Sequence, residues 1–175
     1  MPDPFREPVS LSDPDPAWRR QYAAEAARIG AALTTVAPTI EHIGSTSIPL
    51  RGKPIIDIQV AVEESHRAGA IAALEDLGYR HHGEGGVPGR AYLTRRSADR
   101  PRVNVHVFAA NDSRLDDNRA IRDYLRAHPD VAREYVTSKE KALERGHGDL
   151  LSYSHAKGER VAAIREAACR WAQRP

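Results

Sequence analysis

The residues best suited to chemistry lie in one stretch near the first third of the chain. Ile43-Gly44-Ser45 is followed, after eleven residues, by Asp57. A glycine-serine turn after a strand can present backbone N–H groups and a hydroxyl to a phosphate. A carboxylate on the next strand could hold a divalent cation that bridges the same phosphates, and Lys53 could neutralise the charge on a leaving pyrophosphate. The stretch therefore predicts a phosphate site.

Two neighbouring strands are needed to bring these residues together. Residues 39–43 predict a short strand, and the nearly continuous apolar run 55–62 predicts a central strand in which Asp57 and Gln59 are the polar interruptions. Residues 91–95 and 102–108 predict an antiparallel hairpin. In its second strand, His106 alternates with two valines and should face away from them.

Helical patterns surround these strands. Asp15-Pro16 begins a helix that continues to Leu33, and residues 64–77 form another. Residues 83–89 contain four glycines and predict a loop. After residue 110 only helical patterns remain, at 116–127, 130–145 and about 154–173.

This order predicts an α+β fold, with a small mixed sheet flanked by helices and a C-terminal helical layer. We expect one domain of three parts. Residues 1–14 form an irregular, proline-rich lead-in, residues 15–110 the αβ core, and residues 111–175 a helical segment packed on that core.

Composition excludes several classes of protein. The single cysteine, Cys169, has no partner for a disulfide within the chain and fits a reducing cytosol, so we expect a cytoplasmic protein. The sequence has no apolar run long enough for a membrane span. It also shows no apolar core of a signal peptide. A net charge of +2 does not favour a dedicated nucleic-acid binder. Of the 26 basic residues only four are lysines, among them Lys53, Lys139 and Lys157.

The chain as a whole resembles the GrpB family. The matching segments cover nearly the whole length in order, and they are Asp15–Trp18, Glu41–Pro49, Lys53–Ile58, Val105–Val107, Ile121–Pro129, Tyr135 with Lys139, and Tyr153 with Lys157. The resemblance implies a nucleotidyltransferase-like fold. The family also occurs fused to dephospho-CoA kinase, which implies a nucleotide or CoA-like ligand.

Gly44-Ser45 and Asp57 resemble the nucleotidyltransferase signature, in which Gly-Ser is followed by an Asp-x-Asp/Glu strand, but the sequence departs from it at two acidic positions. Gln59 stands where the second carboxylate is usual, and His106 stands where a later strand usually supplies a third. An amide binds a hard cation less well than a carboxylate, so an ordinary two-metal site is not favoured. Asp57, Gln59 and His106 could still hold one divalent cation, Mg²⁺ or Mn²⁺.

These patterns assign candidate roles. The candidate catalytic residues are Asp57, Lys53 and His42. The candidate ligand-binding residues are Gly44, Ser45, Thr46, Arg122, Lys139, Tyr153 and Lys157. In a helix, Tyr153 and Lys157 would share a face, where they could stack on a base and contact a phosphate.

Structural interpretations stay open beside these roles. Asp57 could form a salt bridge with Lys53 or an arginine, and His106 could be a satisfied histidine of the inner sheet. His42 could be a turn residue. For the other candidates the alternatives are capping of the turn by Ser45 and Thr46, an ordinary ion pair of Arg122 with Asp123, and a solvated helix face for Lys139 and Lys157.

Two functions follow from these candidates. In the first, the protein is an enzyme that binds a nucleoside triphosphate with a divalent cation and transfers a nucleotidyl group to a small acceptor. In the second, the same cleft binds a nucleotide or CoA-like ligand without turning it over, or the helical segment docks a partner enzyme. Loss of two acidic positions favours the second function, and retention of Gly44, Ser45, Lys53 and Asp57 favours a working phosphate site.

Overall fold

A mixed β-sheet forms the centre of the protein. The computed structural model describes residues 5–145, 150–156 and 158–173. The strands are β1 (Thr39–Ile43), β2 (Ile56–Val62), β3 (Arg80–His81), β4 (Ala91–Arg95) and β5 (Val103–Ala109). They lie in the order β1-β2-β5-β4-β3, in which only β2 and β5 are parallel among the described strand pairs.

The two faces of the sheet differ in chemistry because side chains alternate along each strand. Ile58, Val60, Val105 and Val107 are fully buried on one face, against helices α1 (Ala17–Ala32) and α2 (Arg67–Asp76). The opposite face carries Asp57 and Gln59 on β2, which pair in register with Asn104 and His106 on β5. The candidate site therefore lies on the polar face of a sheet whose other face is the main core.

The remaining helices cover part of the polar face. They are α3 (Arg114–Ala127), α4 (Pro129–Glu144), α5 (Leu150–Ala156) and α6 (Gly158–Ala172). A second apolar cluster joins them to the segment after β1, and its buried members are Ile48, Leu50, Leu125, Ala132, Tyr135 and Ile164. The helical segment is thus packed on the loop that precedes β2.

The lead-in is tied to the loop before β2 and to the turn between β4 and β5. Ser12 and Gly52 exchange backbone hydrogen bonds of 2.8 and 3.1 Å. The Glu7 carboxylate accepts hydrogen bonds from Arg96 and Arg102, and its pKa is lowered because these two arginines outweigh the opposing effect of burial. The predicted irregular lead-in therefore has fixed contacts from Phe5 onward.

The predicted fold class is confirmed, with three differences in detail. Residues 154–173 were expected as one helix, but the structure has α5 and α6, and α5 begins at Leu150. A short 3-10 helix (Ser45–Ser47) and the two-residue strand β3 were not predicted, because neither is long enough to show a periodicity. In the described part of the chain no helix is long and apolar enough to cross a membrane. The proposed division at residues 14 and 110 stays a prediction.

Candidate functional site

A cavity of about 920 Å³ opens between the polar face of the sheet and the C-terminal helices. Eight of the predicted residues lie on its wall, namely Gly44, Ser45, Lys53, Asp57, His106, Arg122, Lys139 and Tyr153. The rest of the described wall includes Phe5, Arg6, His82, Gly85, Arg90, Tyr92, Asn104, Ile121 and Tyr135. These residues are far apart in the sequence, so it is the tertiary fold that brings them together on the wall.

Gly44 and Asp57 are in direct contact at the base of this cavity. Gly44 follows β1 with φ 69° and ψ −172°, a conformation that is essentially restricted to glycine. A Cβ atom at this position would lie 2.6 Å from Asp57 Oδ2. The turn therefore requires glycine both for its backbone and for the space that the carboxylate occupies.

Asp57 is held as a carboxylate by its neighbours on β5. Asn104 Nδ2 donates a 2.7 Å hydrogen bond to Asp57 Oδ1, and His106 Nε2 lies 3.5 Å from the same oxygen. Burial alone would raise the pKa of Asp57, but the contact with His106, the charge of Lys53 and the bond from Asn104 outweigh it and hold that pKa well below its usual range. The side chain keeps 22% of its surface exposed, so the carboxylate is accessible from the cavity.

Arg90, which the sequence analysis did not single out, fixes the orientation of His106. Arg90 Nη1 lies 3.1 Å from His106 Nδ1. A guanidinium can only donate, so Nδ1 is the acceptor and a neutral ring carries its proton on Nε2, toward Asp57. Burial lowers the pKa of His106, and the nearby charges of Arg90 and Lys53 lower it further, against the opposing effect of Asp57.

Gln59 is enclosed in hydrogen bonds behind the cavity wall. Its Nε2 donates to Glu41 Oε2 at 2.8 Å and to the Leu115 carbonyl at 3.3 Å, and its Oε1 accepts a 3.0 Å bond from Asn118. Only 1% of Gln59 is exposed. These contacts keep the Gln59 side chain off the cavity wall.

The three predicted metal ligands do not fit a divalent cation in this arrangement. The Gln59 oxygen faces Asn118, His106 directs Nδ1 toward Arg90, and among the three only Asp57 offers a carboxylate to the cavity. No cluster of three or more histidine, cysteine or acidic side chains suited to a metal occurs within the described ranges. The metal set and its Mg²⁺ or Mn²⁺ ion stay predictions.

Lys139 reaches the glycine-serine turn from α4. Its ammonium donates to Ser45 Oγ at 3.2 Å and to the Arg51 carbonyl, and lies 4.7 Å from the centre of the Tyr135 ring. Only 1% of Lys139 is exposed, so the solvated helix face considered for this lysine is wrong. Burial raises the pKa of Tyr135 to about 12, with an opposing effect from its hydrogen bond with Ser45.

Lys53 and Tyr153 meet across the cavity. The Lys53 ammonium lies 5.9 Å from the centre of the Tyr153 ring, a cation–π distance. Tyr153 is 1% exposed, so little of its ring is available for stacking on a base. Lys157, its predicted companion, lies outside the described residues.

His42 and Thr46 lie behind the turn rather than on the cavity wall. The His42 ring stacks on Tyr22 of α1, with centres 4.5 Å apart, and His42 Nε2 lies 3.0 Å from Thr46 Oγ1. Thr46 Oγ1 in turn donates to the Ile55 carbonyl at 3.3 Å. Burial lowers the pKa of His42 to about 4. Both side chains thus brace the turn, and their predicted catalytic and ligand-binding roles have no support from this placement.

Arg122 forms the ion pair with Asp123 that was one interpretation of its sequence position, and its ligand-binding role stays a prediction. Its guanidinium contacts the Asp123 carboxylate at 2.8 and 3.1 Å and donates to the His42 carbonyl at 3.3 Å. It also lines the cavity, so it is an ion-paired residue on the wall of the site.

Some wall residues had no local signal in the sequence. Asn104 and Tyr92 occupy ordinary alternating strand positions, and Arg90 follows the glycine-rich loop as one arginine among 22. His82 follows β3, lines the cavity and lies 2.9 Å from Thr94 Oγ1 through its Nε2. The alternation of polar side chains along β4 and β5 could have indicated Tyr92 and Asn104, but Arg90 and His82 lie outside both strands.

The cavity wall is strongly basic. Among the described residues that line it, Asp57 is the one acid, whereas five side chains are basic, namely Arg6, Lys53, Arg90, Arg122 and Lys139. Such a surface attracts anions, because clefts with low-dielectric walls focus the field of the charges around them.

Curated bacterial proteins are similar to this chain over most of its length. It is 31% identical over 156 residues to the UPF0157 protein YqkA of Bacillus subtilis, covering 88% of this chain and 45% of that protein. It is 35% identical over 166 residues to the UPF0157 protein SCO7215 of Streptomyces coelicolor, covering 91% and 84%. A dephospho-CoA kinase of Mycolicibacterium paratuberculosis is 27% identical, with 87% of this chain and 44% of that protein covered. The chain therefore spans about half the length of some relatives.

Solved structures give the same grouping. The conserved protein GrpB from Enterococcus faecalis superposes with a TM-score of 0.82 at 32% identity, over 94% of this chain and 100% of that chain. The GLD-2/RNP-8 complex matches at a TM-score of 0.59 and 15% identity, over 83% of this chain and 50% of that chain, which shows a shared nucleotidyltransferase fold. The family profile described as GrpB protein matches residues 8–167. The chain belongs to the GrpB family.

Proposed function

We propose that this protein binds a phosphorylated small molecule, a nucleotide or CoA-like ligand, in the cavity beside Gly44 and Ser45. The observation that supports it most directly is the charge of the wall, with five basic side chains against one carboxylate. The nucleotidyltransferase fold and the similarity to dephospho-CoA kinases are consistent with such a ligand.

Lys139 is the basic residue on which this binding should depend most. It is nearly fully buried and its ammonium is directed at Ser45, next to Gly44 on the cavity wall. A charge-assisted hydrogen bond to a phosphate in a partly dehydrated cavity is roughly twice as strong as a neutral one. Lys139 would therefore hold Ser45 in place and add its positive charge beside the phosphate, while the Ser45 hydroxyl would contact the phosphate.

The experiment compares two lysines of the same helix. Lys139 lines the cavity, whereas Lys141 is exposed and lies outside it. Binding of ATP, ADP, CoA and inorganic pyrophosphate would be measured by calorimetry for wild type, Lys139→Gln and Lys141→Gln. We expect Lys139→Gln to weaken binding by roughly tenfold to a hundredfold, as for loss of a charged hydrogen bond, and Lys141→Gln to bind as wild type. Failure of all four ligands to bind the wild type would overturn the proposal.

Nucleotidyl transfer is a second candidate, and Asp57 is the observation that favours it. Its carboxylate faces the cavity next to the glycine-serine turn, on a sheet of the nucleotidyltransferase type. Incubation with α-labelled nucleoside triphosphates and small hydroxyl or amine acceptors tests it. Labelled adducts that form with wild type and not with Asp57→Asn would support transfer, and binding without any adduct would leave the protein a binding module.

A further inference from the structure

The glycine-rich loop before β4 folds around one arginine. Arg90 Nε donates to the Glu84 carbonyl at 3.1 Å, Nη2 donates to the Gly85 carbonyl at 2.6 Å, and Nη1 reaches His106. The guanidinium lies 4.8 Å from the centre of the Tyr92 ring. Arg90 is therefore fixed on the cavity wall by its own loop and by the two strands beneath it.

The loop is shaped to admit this side chain. Gly85 has φ 56°, and a Cβ atom there would lie 2.7 Å from Arg90 Nη2 and 3.0 Å from Tyr92 Cβ. Arg114 of α3 holds the far end of the loop by donating to the Pro88 carbonyl at 2.6 Å. The conformation of the loop and the position of the guanidinium thus depend on each other.

The position of Arg90 disfavours metal binding on the polar face of the sheet. A metal-bound histidine must offer a ring lone pair, but the His106 nitrogen that accepts is turned to Arg90 and the other faces Asp57. Only the His106 ring would separate a divalent cation at Asp57 from the Arg90 guanidinium, which would repel the cation. Arg90 and Lys53 therefore favour an anion on the wall around Asp57 over a metal bound to its carboxylate.

We infer that Arg90 supplies the positive charge that a divalent cation would otherwise bring, so that this site binds a free nucleoside phosphate rather than its magnesium complex. The inference rests on the proposed binding function. A guanidinium has five N–H donors, and the contacts described use one on each nitrogen. One N–H on each terminal nitrogen of Arg90 therefore remains to donate to phosphate oxygens.

The test measures affinity for ATP and for inorganic pyrophosphate by calorimetry, in EDTA and in excess Mg²⁺. We expect binding in EDTA and an apparent affinity at least about tenfold lower in Mg²⁺, because the metal removes the free anion that the site selects. Binding that requires Mg²⁺ or Mn²⁺ would overturn this inference and leave the proposed function intact. Binding under neither condition would be a failure of the proposed function itself.

Variants at position 90 assign the effect to the guanidinium. Arg90→Gln should weaken binding in EDTA by roughly tenfold to a hundredfold, and Arg90→Lys, which keeps the charge without the guanidinium, by less. Arg80→Gln is the control, because Arg80 is exposed on β3 and outside the cavity. Unchanged affinity in Arg90→Gln would overturn the inference. Because Arg90→Gln could disturb the loop, circular dichroism checks that the variant is folded. Arg90→Lys keeps the positive charge, so it separates the loss of charge from the loss of structure.

Discussion

Direct contacts between neighbouring residues set the geometry of this site. Gly44 touches Asp57, Asn104 and His106 orient that carboxylate, and Arg90 orients His106. Each of these groups is fixed before any ligand arrives. Preorganisation of this kind lowers the cost of ordering side chains on binding.

Gly44→Ala tests the smallest of these contacts. The added methyl group would meet Asp57 Oδ2 at 2.6 Å, and alanine would be forced into a backbone conformation that is nearly exclusive to glycine. We expect the free energy of unfolding to fall by roughly 1–3 kcal/mol, measured by urea denaturation, and pyrophosphate binding to weaken. Gly69→Ala is the control, since a Cβ atom at this exposed position of α2 meets nothing within 4 Å. Equal stability of Gly44→Ala and wild type would contradict this account of the turn.

Among the secondary-structure elements, the junction of α1, β1 and the 3-10 turn positions the site from behind. His42 joins all three, because it stacks on Tyr22 and bonds to Thr46. Thr46 donates to the Ile55 carbonyl and must accept from His42, so Nε2 of His42 carries a proton. Because burial lowers its pKa to about 4, the ring is neutral at neutral pH.

This junction should weaken as the solution becomes acidic. The folded pKa of His42, about 4, lies below the ordinary value of 6.5, so the unfolded chain takes up a proton first as the pH falls. Stability is therefore lost between pH 6.5 and about 4. Between pH 7.5 and 5.0 wild type should lose up to about 2 kcal/mol more than His42→Phe, which keeps a ring against Tyr22.

Urea denaturation of both proteins at the two pH values measures this difference. His106 also has a lowered pKa, but it is present in both proteins, so its contribution cancels in the comparison. His42→Phe will be less stable than wild type at pH 7.5, because it lacks the bond to Thr46. An identical pH dependence for the two proteins would contradict this prediction, because it would mean that the pKa of His42 is the same in the folded and the unfolded chain.

The parts of the fold and the site that could be predicted are those indicated by residues close together in the sequence. Periodicity located β1, β2, β4, β5 and the main helices within a few residues, and the proximity of Gly44 to Asp57 followed from two strands in succession. Arg90 could not be predicted, because it meets His106 only after β5 has paired with both β2 and β4. Gln59 has metal-ligand spacing, yet Glu41 and Asn118, far away in sequence, engage its amide.

Across the whole molecule, the near-neutral net charge conceals an uneven distribution. The sum is +2, but the described wall of the cavity alone carries five basic groups and one acid. The rest of the chain has 21 basic and 23 acidic residues, so its net charge of −2 offsets half of the excess on the wall. Total charge is therefore a poor guide to the ligand, and the position of the charges is a better one.

This distribution predicts that binding responds to salt more than folding does. Raising NaCl from 50 to 500 mM should weaken pyrophosphate binding by roughly tenfold, since screening shortens the reach of the basic wall. Calorimetry over a salt series measures it, and the slope should be smaller in Lys139→Gln and unchanged in Lys141→Gln. Pyrophosphate affinity that does not change with NaCl would show that the cationic wall is not what holds the anion.

The fixed lead-in has a consequence for how this protein can be joined to other sequences. Glu7 is clamped by Arg96 and Arg102, and Phe5 packs against His82 and Tyr92 on the cavity wall. A purification tag or a fused domain placed ahead of Phe5 would thus start beside the ligand cavity. An acidic tag at that end would place carboxylates beside the basic wall, where they would compete with an anion, and a polyhistidine tag would bring bound metal ions close to it.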